Sequence, residues 1–215
     1  MSSQRPTLAR AERAALCDLL DEVGPDAPTL CEGWASHDLA AHLVVRERRP
    51  DSGPGLVLKA LAGWTERVRL QARSKPYTTL VSLVRSGPPR LSPFSLPGVD
   101  AAANSAEYLI HHEDVRRARQ GWEPRVFDDD VQKLLWKRFG SGAGRLPFRS
   151  VPVGVVLRDL GGATVEVRKG SPVVTIVGLP SEILLYSSGR REHARVELEG
   201  EADAVEQLRQ AHLGV

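Results

Sequence analysis

Asn104–Arg119 reads NSAEYLIHHEDVRRAR. The stretch contains neither proline nor glycine and stops just short of Gly121, so it reads as a helix closed by a C-terminal glycine. Asn104, Glu107, His111 and Asp114 recur at intervals of three, four and three, which places them on one helical face. Tyr108, Leu109, Ile110 and Val115 supply apolar surface beside that stripe. Burying a carboxylate and an imidazole costs free energy unless a partner offsets it. A divalent cation would pair with both, because Glu107 and His111, four apart, can direct oxygen and nitrogen at one point.

Upstream, 8–23 carries helical spacing through Leu8, Leu16, Leu19, Leu20 and Val23, with Thr7 as its cap and Gly24-Pro25 as its stop. After the loop at 26–35, Ser36 is placed to cap a second helix, HDLAAHLVVRERR, which Pro50 ends. Leu39, His42, Leu43 and Arg46 share one side of it, so His42 falls where a core residue is expected. A third helix is expected over 56–73, with Leu58, Leu61, Trp64, Val68 and Leu70 apolar, and a short one over 79–85. The segment SGPPRLSPFSLPG at 86–98 is dense in proline and reads as irregular. Trp34 and Trp64 read as core anchors, and Cys31, just before Trp34, as a small buried residue, with an approach to the metal as its competing reading.

Downstream, DDDVQKLLWKRF at 128–139 is a helix with acids at its start. GSGAG at 140–144 reads as a linker. The texture then changes. β-rich runs at 151–158 and 163–168 flank a hairpin signal, DLGG, and strands at 173–177 and 194–199 bracket a helix at 180–188 that starts with proline. A helix closes the chain at 201–212. The expected class is α + (α+β): an all-α metal-binding part at 1–140 and a small α+β domain at 145–215.

The chain has 215 residues and 41% hydrophobic content, enough for a packed core. Its 29 basic and 27 acidic residues leave a net charge of +2, without the basic excess of a nucleic-acid binder. Cys17 and Cys31 form no CxxC pair. The N-terminus lacks an apolar signal core, and no run approaches the ~20 apolar residues that cross a bilayer. A cytoplasmic protein without nucleic-acid or membrane partners is expected.

His42, Glu107 and His111 are the candidate metal ligands, two imidazoles and a carboxylate that leave a fourth position open. Bundles build such sites from facing helices. A hydrogen-bonded core histidine is the competing reading of His42. Asp114 and Asn104 are candidate supports for the ligands, and His112 a packing or polar contact. Arg46, Arg48, Arg49, Arg116 and Arg117 read mostly as a solvated, salt-bridged face.

Gly33-Trp34 through Asp38-Leu39 to His42-Leu43 resembles the GW-x-x-x-D-L-x-x-H-L signature of the DinB-like superfamily, in the branch of mycothiol-dependent maleylpyruvate isomerase. Glu107-x-x-x-His111-His112-x-Asp114 resembles the second half of that signature. The stretches CEGW from Cys31, HLVVRERRP from His42 and HHEDVRRA from His111 are also similar to an actinobacterial metal-binding branch. The resemblance implies a four-helix bundle that binds a divalent metal, usually zinc, through His42, Glu107 and His111. It implies a low-molecular-weight thiol such as mycothiol as cosubstrate, for transfer or isomerisation on a small electrophile. Gly178–Glu182 and Gly189-Arg190 are similar to the small sterol-carrier-like domain of the same enzymes, which makes Arg190 a candidate catalytic residue. The Arg46–Arg49 run and the proline-rich segment depart from that pattern, so the substrate is left open. A non-enzymatic metal or small-ligand binding protein is the alternative.

Overall fold

The computed structural model describes residues 6–49, 62–89 and 99–214. The expected first turns of the third helix, with Leu58 and Leu61, and most of the proline-rich segment lie outside them. The chain divides into two compact units, Met1–Glu123 and Pro124–Val215.

The first unit is helical: α1 Leu8–Val23, α2 Ser36–Arg48, α3 Ala62–Arg73, α4 Tyr77–Arg85 and α5 Val99–Arg117. Thr7 caps α1 by accepting from Arg10 N–H, and Gly24 ends it at φ 78°, a backbone region costly for any residue with a Cβ. Ser36 is not the cap of α2. It is the first helical residue, and its hydroxyl donates to Gly24 O, while Ala35 N–H donates to the Asp38 carboxylate at 3.3 Å. The longer Asp38 side chain reaches back over the helix end, which frees the serine to tie α2 to the end of α1.

α1 packs on α5 and α4, and α2 on α3 and α4. Leu16, Leu20, Leu39, Leu43, Leu80, Val84, Tyr108 and Val115 fill the core between them. Within that core Glu47 Oε1 accepts from Arg13 at 2.6 Å and from Tyr108 OH at 2.7 Å. A single carboxylate of α2 therefore joins α1 and α5, and burial with good donors makes such a link costly to break. The link also sets α2 against α5: Glu47 lies beside Tyr108, and His42, five residues earlier, comes level with His111.

The second unit holds α6 Asp129–Phe139, α7 Gly142–Arg145, β1 Gly154–Arg158, β2 Thr164–Arg168, β3 Val173–Gly178, α8 Pro180–Ser187, β4 Val196–Glu199 and α9 Ala202–Gln210. The sheet order is β2-β1-β3-β4. β1 pairs antiparallel with β2 and parallel with β3, and β4 returns antiparallel to β3. The β1–β2 hairpin turns through Gly162 at φ 88°, with Asp159 Oδ1 accepting from Ala163 N–H at 2.8 Å. Val155, Leu157, Val174 and Ile176 bury one face of the sheet, and α8 and α9 both pack on β3.

GSGAG is not a flexible linker. It folds as the turn into α7, and Gly144 is buried so close to Phe139 that a Cβ there would stand 2.4 Å from Phe139 Cα. The small residues serve close backbone packing rather than freedom. α6, grouped with the helical part in the sequence reading, packs on α8. Gln132 accepts from Ser181 N–H at 3.0 Å and donates to Ser181 Oγ at 3.1 Å.

Candidate metal centre

α2 and α5 bring the stripe residues together. His42 Nε2 lies 3.4 Å from Glu107 Oε1, and His111 Nε2 lies 3.2 Å from the same oxygen. The two imidazole rings stand edge to face, 5.2 Å between centroids. One ligand atom each from His42, Glu107 and His111 falls within 4.8 Å of the others. His42 and Glu107 are half-buried and His111 is buried, so the set is partly accessible. Two imidazole nitrogens and one carboxylate oxygen are the donor types that zinc takes in sites with an open position. The residues present fit a divalent cation.

The other nitrogen of His111 is equally constrained. Nδ1 lies 2.8 Å from Asp114 Oδ2, and the Asp114 side chain is 0% exposed. A buried carboxylate at that distance accepts the Nδ1 proton, so Nε2 is the nitrogen that faces His42 and Glu107 and the one a cation would take once its proton leaves. Burial opposes charge on His111, yet the hydrogen bonds from its ring to Asp114, Cys31 and Glu107 raise its pKa well above the ordinary range. Burial also opposes charge on Glu107, but hydrogen bonds from His111 and His42, with the Arg46 charge, hold its carboxyl well below the usual range. His42 moves the other way: burial lowers its pKa and favours the neutral ring. The set therefore presents one ionised carboxylate and one neutral imidazole at neutral pH. His111 needs only to yield its Nε2 proton to a cation.

Arg46 Nε lies 3.1 Å from Glu107 Oε1, and its Nη1 donates to Asn104 Oδ1. Asn104 thus acts on the site through Arg46. Asp114 holds His111 as its spacing suggested. His112 faces α1, with Nδ1 3.0 Å from Glu12 Oε2. Arg48 donates to Leu83 O and Gly87 O at 3.1 and 2.9 Å, and Arg116 and Arg117 pair with Glu113. Trp34 packs its ring 5.3 Å from His42, with the Arg69 guanidinium 4.8 Å over its ring. Trp64 is 47% exposed and is not a core anchor. α3 turns Val68, Arg69 and Ala72 inward instead, because Asp38 of α2 draws Arg69 to 2.7 Å.

Arg190 sits in the second unit, directly after Gly189 at φ 88°, where its N–H donates to Leu185 O at 3.0 Å. Two contacts of the site went unread in the sequence. Arg46 on Glu107 carried a usable signal, since Arg46 follows His42 by one turn and shares its face. Cys31, whose Sγ lies 3.3 Å from Asp114 Oδ2, carried only its place beside Trp34, because a loop residue has no period that could name Asp114 as its partner. Cys31, His111 and Asp114 form a second group of donor atoms within 4.8 Å of one another.

No protein-family model and no curated protein matches the sequence. The fold is similar to the crystal structure of mycothiol-dependent maleylpyruvate isomerase, with a TM-score of 0.60 at 16% identity over 91% of this chain and 92% of that one. A histidine-to-alanine mutant of that isomerase gives the same TM-score and coverage at 15% identity. At such low identity the structural likeness shows a shared fold alone, here helices with a four-stranded sheet.

Proposed function

We propose that this chain is a divalent-metal-dependent enzyme, with zinc as the metal, that uses a low-molecular-weight thiol such as mycothiol for transfer or isomerisation on a small electrophile. The observation that carries this reading is the convergence of two imidazole nitrogens, His42 Nε2 and His111 Nε2, on one oxygen of Glu107. The likeness to a mycothiol-dependent isomerase supports the thiol. On the same reading the first unit is a DinB-like four-helix bundle and the second a sterol-carrier-like α+β domain. The described residues contain no helix long and apolar enough to cross a membrane. The cytoplasm is proposed as the compartment, in keeping with two cysteines that form no disulfide.

His42, Glu107 and His111 would hold the cation. When bound, it supplies a Lewis acid that lowers the pKa of a water or thiol at its open position. Asp114 keeps the His111 proton on Nδ1, and Arg46 orients the Glu107 carboxylate. Arg190 is proposed as a catalytic residue that holds a carboxylate of substrate or thiol, a task suited to a guanidinium fork.

The test has two parts. Purified protein should contain one divalent metal per chain, lost in His42→Ala and His111→Ala. The metal-loaded protein should then turn over an electrophile such as a conjugated unsaturated acid only when a thiol is added. Retained metal with no thiol-dependent turnover of any electrophile sinks the enzyme. The second reading, a non-enzymatic metal or small-ligand binder, is favoured by the second donor group of Cys31, His111 and Asp114. A fourth protein ligand on the bound metal would select it.

A further inference from the structure

The loop between α1 and α2 touches both histidines of the candidate centre, through two different residues. Pro28 and Ala35 pair across its neck, and Trp34 N–H donates to Cys31 O at 2.9 Å. Thr29 Oγ1 accepts from Cys31 N–H at 3.2 Å and donates to Trp34 O at 2.8 Å. Leu30 N–H donates to Asp114 O at 3.1 Å, which anchors the loop on α5. From this frame Trp34 lays its ring against His42. Cys31 reaches the other histidine both at its ring and through its carboxylate partner. Its Sγ lies 3.3 Å from Asp114 Oδ2, the same oxygen that takes the Nδ1 proton of His111 at 2.8 Å.

We propose that Cys31 is a positioning residue of the metal centre: its S–H donates to Asp114 Oδ2 and orients the carboxylate that holds His111 Nε2 toward His42 and Glu107. The inference rests on the metal reading above. Asp114 is wholly buried, so the donors around it, not water, decide how its carboxylate is turned. A thiol is a weak, neutral donor. It can steer the carboxylate without cancelling the negative charge that His111 needs on its Nδ1 side. Anchoring the loop by its backbone to residue 114 sets the thiol beside that carboxylate without help from a flexible side chain. Cys31 on this view is not a ligand.

The experiment measures zinc affinity of the full chain by competition with a chromophoric chelator, for wild type, Cys31→Ser, Cys31→Ala and Asp114→Asn. Loss of an outer partner of a ligating histidine weakens metal binding about 10- to 100-fold, and Cys31→Ala is expected at the lower end. Cys31→Ser, which keeps a donor of similar size, should stay close to wild type. Asp114→Asn should weaken binding at least as much as Cys31→Ala. Cobalt-substituted wild type should lack the near-ultraviolet sulfur-to-cobalt charge-transfer band. Wild-type affinity in Cys31→Ala overturns the proposal, as does Cys31→Ser as weak as Cys31→Ala. A sulfur-to-cobalt band overturns it by making Cys31 a ligand. Should Cys31→Ala fail to fold, the serine and asparagine variants and the cobalt spectrum still decide. Wild type that takes up no metal overturns the metal reading itself, whereas equal affinity in Cys31→Ala overturns the role of the thiol alone.

Discussion

His111 divides its two nitrogens between two carboxylates, and the division is what turns a buried imidazole into a directed donor. Nδ1 is committed to Asp114 and Nε2 faces Glu107 and His42. On the proposed metal reading, removing a ligand should therefore cost more than removing its support. His42→Ala, His111→Ala and Glu107→Gln are each expected to weaken zinc binding by at least the roughly 100-fold that bounds the loss of an outer partner. Chelator competition measures it, and a Glu107→Gln protein that binds zinc like wild type would remove the carboxylate from the set. Much of this residue-level picture was legible beforehand. On a helix, spacings of three and four place Glu107, His111 and Asp114 within reach of one another, and the i,i+3 and i,i+4 contacts are present. The Cys31–Asp114 contact was not legible, because it joins a loop to a helix across 83 positions and no periodic pattern extends that far.

α3 shows how one polar contact can choose the buried face of a helix. Its apolar residues suggested Trp64 and Leu70 as core, yet both are exposed while Arg69 is buried. Asp38 explains the choice. Its Oδ1 lies 2.7 Å from both Arg69 Nη1 and Arg73 Nε, and its Oδ2 accepts from Ala35 N–H. Burial works to raise the Asp38 pKa, but these donors outweigh it and hold the carboxyl below the ordinary range. A folded pKa below the unfolded one means that the stabilisation is complete above about pH 4 and fades as pH falls through the folded value. Asp38→Asn is expected to cost about 2 kcal/mol at neutral pH, as for a lost charged hydrogen bond. Its deficit against wild type in urea unfolding should shrink below about pH 4. A deficit that stays constant down to pH 2 would show that charge is not the cause. Composition misread a second element, GSGAG, whose glycines were taken as freedom. At Gly144 a Cβ would stand 2.6 Å from Arg138 O as well as 2.4 Å from Phe139 Cα, whereas at Gly142 nothing lies within 4 Å. Gly144→Ala should lose about 1–3 kcal/mol through overpacking. Gly142→Ala should be neutral or gain about 0.5 kcal/mol through lower unfolded-state entropy. Denaturant midpoints of the two variants check the pair, and equal midpoints would mean that α7 is as loose as a linker.

Across the whole chain, periodicity made the helical first unit and the mixed second one readable, because the period changes from 3.6 to 2 where the strands begin. Periodicity does not reveal packing partners: α6 has the pattern of the earlier helices but rests on α8, far later in the chain. The candidate ligands, by contrast, all belong to α2 and α5 of the first unit. A cation held there stabilises the folded form of that unit by mass action, about 2.7 kcal/mol at a free concentration 100 times the Kd. Tryptophan placement makes this measurable by unit. Trp34, Trp64 and Trp122 lie in the first unit and Trp136 in the second. In a Trp136→Phe background fluorescence reports the first unit alone. Added zinc should raise the fluorescence melting temperature of that protein, and a chelator should reverse the rise. The same zinc should leave the melt unchanged once His42→Ala is added, because the remaining carboxylate and imidazole lack the second nitrogen. An equal upward shift with and without His42 would mean that zinc binds elsewhere on the chain, and the α2–α5 centre would no longer account for metal binding.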